Sequence, residues 1–166
     1  AGNIAQMLED VGAGGSKFAI VAHEESSGID GGSATSTTTG RTRELNTIVK
    51  NNDDMISLSS NRITFNRTGS YRISGFAQFF RVNSAIVYLG TNSSSVSVLG
   101  CSTFSDGDGG DGSSFSHFDD IIDLNAGDTI GMYYRVITSR TTDGLGQGSQ
   151  SGLTETYSKV VIEELG

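Results

Sequence analysis

The sequence predicts an all-β domain, a jelly-roll sandwich of about eight to ten antiparallel strands with one short helix ahead of them. Three observations carry this prediction. Apolar residues alternate with period two along most of the chain. The alternating runs are short and are separated by Ser, Thr and 23 glycines, with no proline anywhere. The length, 166 residues, suits one domain, large enough to bury roughly 70% of the unfolded chain's surface in a single core.

At the N-terminal end, Asn3 is a helix N-cap, Ile4, Met7, Leu8 and Val11 recur at helical spacing, and Gly12 stops the pattern. A helix of two or three turns is marginal alone in water, so its apolar stripe must lie against another surface. Residues 1–12 are therefore expected to be a helical anchor or stalk stub. Ala13-Gly14-Gly15-Ser16 is expected to be a flexible linker, and residues 17–166 the jelly-roll knob. The linker is not a phosphate loop, because Phe18 stands where a Ser or Thr would have to hold magnesium.

Residues 17–22, KFAIVA, predict the first strand, and residues 26–40, nearly all Gly, Ser, Thr, Ala and Asp, predict a loop. Strands follow at 45–50 and 55–58 around the turn cluster Asn51-Asn52-Asp53-Asp54. The segment 61–89 organises the rest. Ile63 and Phe65 alternate with polar residues, residues 67–70 supply a turn, and Tyr71, Ile73, Gly75, Ala77 and Phe79 share a core face. Arg72, Ser74, Phe76, Gln78 and Phe80 share the opposite face, so Phe76 and Phe80 need a cover, either from this chain's own loops and strands or from another copy. Residues 95–104 predict another strand. Residues 115–124 and 129–137 predict a hairpin about Asn125-Ala126-Gly127-Asp128, with Ile130, Met132, Tyr134 and Val136 inward and Tyr133 and Arg135 outward. Residues 138–154 are polar loop. Residues 157–165 predict the closing strand, with Val160 and Ile162 inward and Val161 and Leu165 outward.

The formal charge of −8, with 11 scattered Lys and Arg, excludes a phosphate-tracking surface and so nucleic acid. No apolar run is long enough to span a bilayer, so membrane insertion is not expected, and the N-terminus lacks the basic and apolar regions of a secretory signal. Cys101, single and among Val98, Leu99 and Phe104, is expected to be a buried thiol. Asp106, Asp108 and Asp111 offer oxygen ligands to calcium. Gly110 at the fifth position, Asp111 at the sixth and His117 at the twelfth depart from the calcium-loop pattern. The expectation is a mobile surface loop with no required cofactor, and calcium at those carboxylates is the alternative. The match of Gly107, Gly109 and Gly112 to a dinucleotide pattern is chance, since carboxylates between them would repel a pyrophosphate. An enzyme is not expected. Only two histidines exist, no GxSxG or HExxH occurs, Ser116, His117, Asp119 and Asp120 are neighbours in a serine-rich chain, and His23 beside Glu24 and Glu25 reads as a solvated edge residue.

The order of FAIVA, Leu45-Asn46 and ISLSSNRITFNRTGSYRISGFAQFF, with Gly69-Ser70-Tyr71 leading into Phe76, Phe79 and Phe80, resembles the tumour necrosis factor and complement globular-head superfamily. The resemblance continues through LNAGDTIGMYYRV, at Leu124, Gly127 and Asp128, to the terminal VVIEEL, and so covers residues 17–165. The last strand departs from the family's aromatic and small ending at Val161-Ile162-Glu163-Glu164-Leu165. What the resemblance implies is a homotrimer with the aromatic strand along the three-fold axis, a binding role, and a trimer interface at Phe76, Phe80, Tyr133 and Val161. The helical stub and glycine linker also resemble those of knobs on fibres and spikes of bacterial viruses. The expectation is a non-enzymatic bacteriophage structural protein on the virion surface, a head-fibre, capsid-decoration or tail-fibre knob for receptor binding. Capsid or tail proteins would hold its N-terminus, and a host-surface glycan or protein would be its target. The alternative is a secreted, extracellular complement-head-like adhesion or lectin-like module. Asn66-Arg67-Thr68 and Asn92-Ser93-Ser94 would then be glycosylation acceptors.

Overall fold

A computed structural model describes residues 17–91, 95–103 and 112–165, with 95–103 described by backbone alone. The expected helix with Ile4, Met7, Leu8 and Val11, the linker, and the carboxylates Asp106, Asp108 and Asp111 lie outside the described residues. The described chain forms eleven strands: β1 (Phe18–Glu25), β2 (Arg41–Thr42), β3 (Thr47–Asn51), β4 (Ile56–Ser59), β5 (Arg62–Phe65), β6 (Gly69–Phe80), β7 (Ala85–Thr91), β8 (Ser95–Thr103), β9 (Ser113–Leu124), β10 (Thr129–Arg135) and β11 (Glu155–Leu165). They build two antiparallel sheets. One has the order β3-β1-β11-β6-β9, and the other β4-β5-β10-β7-β8 with β2 pairing β10.

The period-two pattern decides what lies between the sheets. From the first sheet come Ala19, Val21, Tyr71, Ile73, Ala77, Phe79, Val160 and Ile162, and from the second Ile63, Phe65, Val87, Leu89, Ile130, Met132 and Tyr134, all buried in one core. Aromatic rings join the layers. Phe65 of one sheet meets Tyr71 of the other at 4.8 Å between centroids, and Phe79 meets Tyr134 at 6.1 Å. The Tyr71 hydroxyl donates to the Arg67 carbonyl at 2.8 Å, which satisfies its one polar group.

The expected hairpin between residues 115–124 and 129–137 does not form. β9 pairs β6 along its whole length, from Gly69↔Leu124 to Phe80↔Ser113, while β10 is occupied on both sides by β5 and β7. The turn chemistry itself is present. Asp128 donates its amide to the Asn125 carbonyl at 3.0 Å, and Gly127 takes φ 91°. Yet Gly127 N–H donates to the Phe65 carbonyl and Phe65 N–H to the Asp128 carbonyl, so the turn carries the chain from one sheet to the other.

One end of the sandwich is closed by polar groups. Arg43 is fully buried and donates through Nη2 to the carbonyls of Leu145 at 2.5 Å and Tyr157 at 3.0 Å, with its guanidinium over the Phe79 ring. Burial pushes its pKa down to about 9. Nearby, Glu155 accepts from the Tyr157 hydroxyl, from Ser149 Oγ at 2.7 Å, from Ser149 N–H at 2.8 Å and from Gly28 N–H at 3.2 Å, which ties two loops to the start of β11. These donors, the Tyr157 hydroxyl first and Ser149 next, hold its carboxyl down at about 2.

A depressed carboxylate contributes stability above its ordinary value of 4.5, and that contribution is lost as pH falls through about 2. The melting temperature of the parent is therefore expected to approach that of Glu155→Gln as pH drops from about 5 to about 2. Parallel melting curves over that window would remove Glu155 as the clamp.

Candidate assembly face

Strand alternation that fills the core with Tyr71, Ile73, Ala77 and Phe79 turns Arg72, Ser74, Phe76 and Gln78 to the outer surface of the five-stranded sheet. The same alternation in the edge strand β9 turns Phe115, His117, Asp119, Ile121 and Asp123 outward while Ser116 and Phe118 are buried. Register then brings these rows together. Phe76 lies opposite His117 on one side and Lys159 on the other, Gln78 opposite Phe115, and Ser74 opposite Asp119 and Val161.

The result is an aromatic trio. Phe76 and Phe115 meet edge to face at 5.7 Å, and the His117 ring lies 6.2 Å from Phe76 and 6.3 Å from Phe115. Phe115 is 45% exposed and Ile121 61%, so the sheet presents apolar surface that the chain itself leaves open. One charge pair stands beside it. Arg72 donates to both oxygens of Asp119, at 2.9 and 2.5 Å. That contact raises the Arg72 pKa and lowers that of Asp119, so both stay ionised and the pair adds no net charge to the face.

Two of the four residues expected at the interface stand on this face. Phe76 and Val161 are half-buried and outward, with Val161 opposite Ser74 and Ile20. Phe80 is not available, being only 3% exposed within one chain. The strand ends at it, its amide donates to the Gly144 carbonyl at 3.0 Å, and the Arg81 guanidinium covers its ring. Tyr133 lies in the other sheet, where it stacks on Tyr88 at 5.7 Å and its hydroxyl accepts from Arg62 Nη1 at 2.7 Å. It therefore cannot extend the Phe76 patch. Phe115 and His117 were not expected here. Their signal is the alternation in SFSHFDDI, which becomes informative once β9 is known to lie beside β6.

His23 also departs from expectation. It is 2% exposed rather than solvated, packed 5.6 Å from the Tyr157 ring, and its Nε2 faces Glu25 Oε1 at 3.3 Å and Glu44 Oε2 at 3.6 Å. Burial, and next the nearby Arg43 charge, lower its pKa.

No protein-family model matches the sequence, and no curated protein does. Among solved structures the chain is similar to murine APRIL at pH 5.0, with a TM-score of 0.58 and 11% identity over 91% of this chain and 100% of that one. Murine APRIL at pH 8.0 gives a TM-score of 0.56, 11% identity and the same coverage of both chains. At this identity the likeness concerns the fold, and the fold is the jelly roll of the tumour necrosis factor-like kind.

Proposed function

We propose that the chain is a non-enzymatic trimeric knob whose copies meet through the outer face of the β3-β1-β11-β6-β9 sheet. The observation that carries the reading is the open Phe76–Phe115–His117 trio on two neighbouring strands, beside a charge pair already neutralised within the chain. Apolar area of this kind is stable in water when a partner covers it, and a three-fold arrangement is what the resemblance of the sequence to the tumour necrosis factor superfamily implies.

The place we propose for the knob is the surface of a bacteriophage virion, on a head fibre, capsid decoration or tail fibre, where it attaches to a host-surface glycan or protein. Support comes from the sequence, in which the helical spacing of Ile4, Met7, Leu8 and Val11 and a glycine linker precede the jelly roll. That segment would join capsid or tail proteins.

The test is mass in solution. The parent is expected to have a three-chain mass by light scattering after size exclusion, and the Phe76→Asp, Phe115→Asp double variant a one-chain mass. Assembly covers only what the single chain leaves open, the exposed 45% of Phe115 and the smaller open part of Phe76, and a carboxylate at each position would be desolvated beside like charges of the other copies. A parent of one-chain mass at micromolar concentration, or a double variant that stays three-chain, would overturn the assembly.

A further inference from the structure

We propose that His23, Glu25 and Glu44 form a binding site for a divalent transition-metal ion of the zinc class, independent of the assembly face. One nitrogen and two carboxylate oxygens, all within 4.8 Å of one another, converge from β1 and from the segment that follows β2. Metal bonds of about 2.0–2.2 Å place tetrahedral ligand atoms about 3.3–3.6 Å apart. His23 Nε2 lies 3.3 Å from Glu25 Oε1 and 3.6 Å from Glu44 Oε2, and rotation of the two carboxylates, whose oxygens lie within 4.8 Å of each other, completes the geometry.

The way the chain holds these groups favours a ligand set over an incidental surface cluster. The imidazole is buried, and among the described residues the polar contacts of its Nε2 are with the two carboxylates. On a regular strand, residues two apart stand roughly 6.6 Å from each other. Here the β1 register shifts between His23 and Glu24, an irregularity of the type that re-aims side chains beside sites. Both flanks are fixed. Asn46 accepts from the Glu24 amide at 2.9 Å and donates to its carbonyl at 2.9 Å, and Ser158 Oγ donates to the Glu44 carbonyl at 3.1 Å.

The two carboxylates face the imidazole and offset the adjacent Arg43 cation, whose Nη2 is taken by the carbonyls of Leu145 and Tyr157. A nitrogen donor selects zinc, cobalt or nickel over calcium and magnesium, which take all-oxygen shells. The Glu44 side chain is 51% exposed, which leaves an entry path and a position for water as fourth ligand. Bound there, the ion would fasten the end of β1 to the segment 43–46.

The experiment titrates the full chain with zinc chloride by calorimetry at neutral pH and repeats it with cobalt chloride, read by the visible absorption of tetrahedral cobalt. Expected are one ion per chain at sub-millimolar metal, a higher melting temperature with zinc, and no competition from calcium or magnesium. Glu44→Gln and Glu25→Gln change partly exposed side chains and keep the fold, and each is expected to weaken binding about tenfold or more. Absence of saturable binding to the parent, or equal binding by both variants, would overturn the site.

Discussion

Gly75→Ala is expected to lower the melting temperature by about 10 °C or to leave the protein insoluble. A Cβ at Gly75 would stand 2.0 Å from the Lys159 carbonyl oxygen and 2.6 Å from Phe118 Cζ. The carbonyl belongs to β11, which is held between β1 and β6 and cannot withdraw without breaking a ladder. Overpacking against movable side chains costs about 1–3 kcal/mol. A clash with fixed backbone belongs at or above the top of that range, a large share of the 5–15 kcal/mol that holds a typical domain together. Gly127 is the control, since a Cβ there meets nothing within 4 Å and only its φ of 91° resists substitution. Thermal melts by circular dichroism decide the matter. If Gly75→Ala melts with Gly127→Ala, the Phe118 ring and β11 do not approach Gly75 as described.

Arg43→Ala and Arg43→Met are expected to separate widely. Alanine leaves a cavity where a large side chain was fully buried, at about 3–5 kcal/mol, and also deprives the carbonyls of Leu145 and Tyr157 of a donor. Methionine deprives the same carbonyls but keeps most of the volume and relieves a guanidinium that burial has pushed down to about 9. The expected melting temperatures lie about 10 °C below the parent for alanine and within about 5 °C of it for methionine. Equal losses would mean that the charge, and not the filled volume, closes this end of the sandwich.

Alternation along single strands was legible in the sequence, because it is a local property. Tyr71, Ile73, Ala77 and Phe79, then Ile130, Met132, Tyr134 and Val136, then Val160 and Ile162 all read as inward, and all are buried. Strand order was not legible, because nothing in a run records its neighbour. Asn125 to Asp128 makes the same turn whether the chain returns to its own sheet or crosses to the other, so the expected hairpin fails and Tyr133 moves away from Phe76. Phe80 and His23 fail for a related reason. The Gly144 carbonyl that holds the Phe80 amide and the Arg43–Tyr157 cluster around His23 come from distant parts of the chain. The candidate face was half legible through Phe76 and Val161, and Phe115 and His117 joined it only through the β6–β9 register.

The position of β11 between β1 and β6 sets an order of events on the ribosome. Of the described strands it is synthesised last, yet it is the middle of its sheet. Until it emerges, β1 with β3 and β6 with β9 are two separate ribbons, and the edges of β1 and β6 that will receive it are unpaired. The other sheet has no such gap, since all its strands precede residue 136. Nascent chains therefore carry one completed sheet and one divided one, and the divided sheet closes only after translation has passed residue 155. During that interval the inner faces of both ribbons are open to other chains, and a message truncated before that point yields a product prone to aggregate.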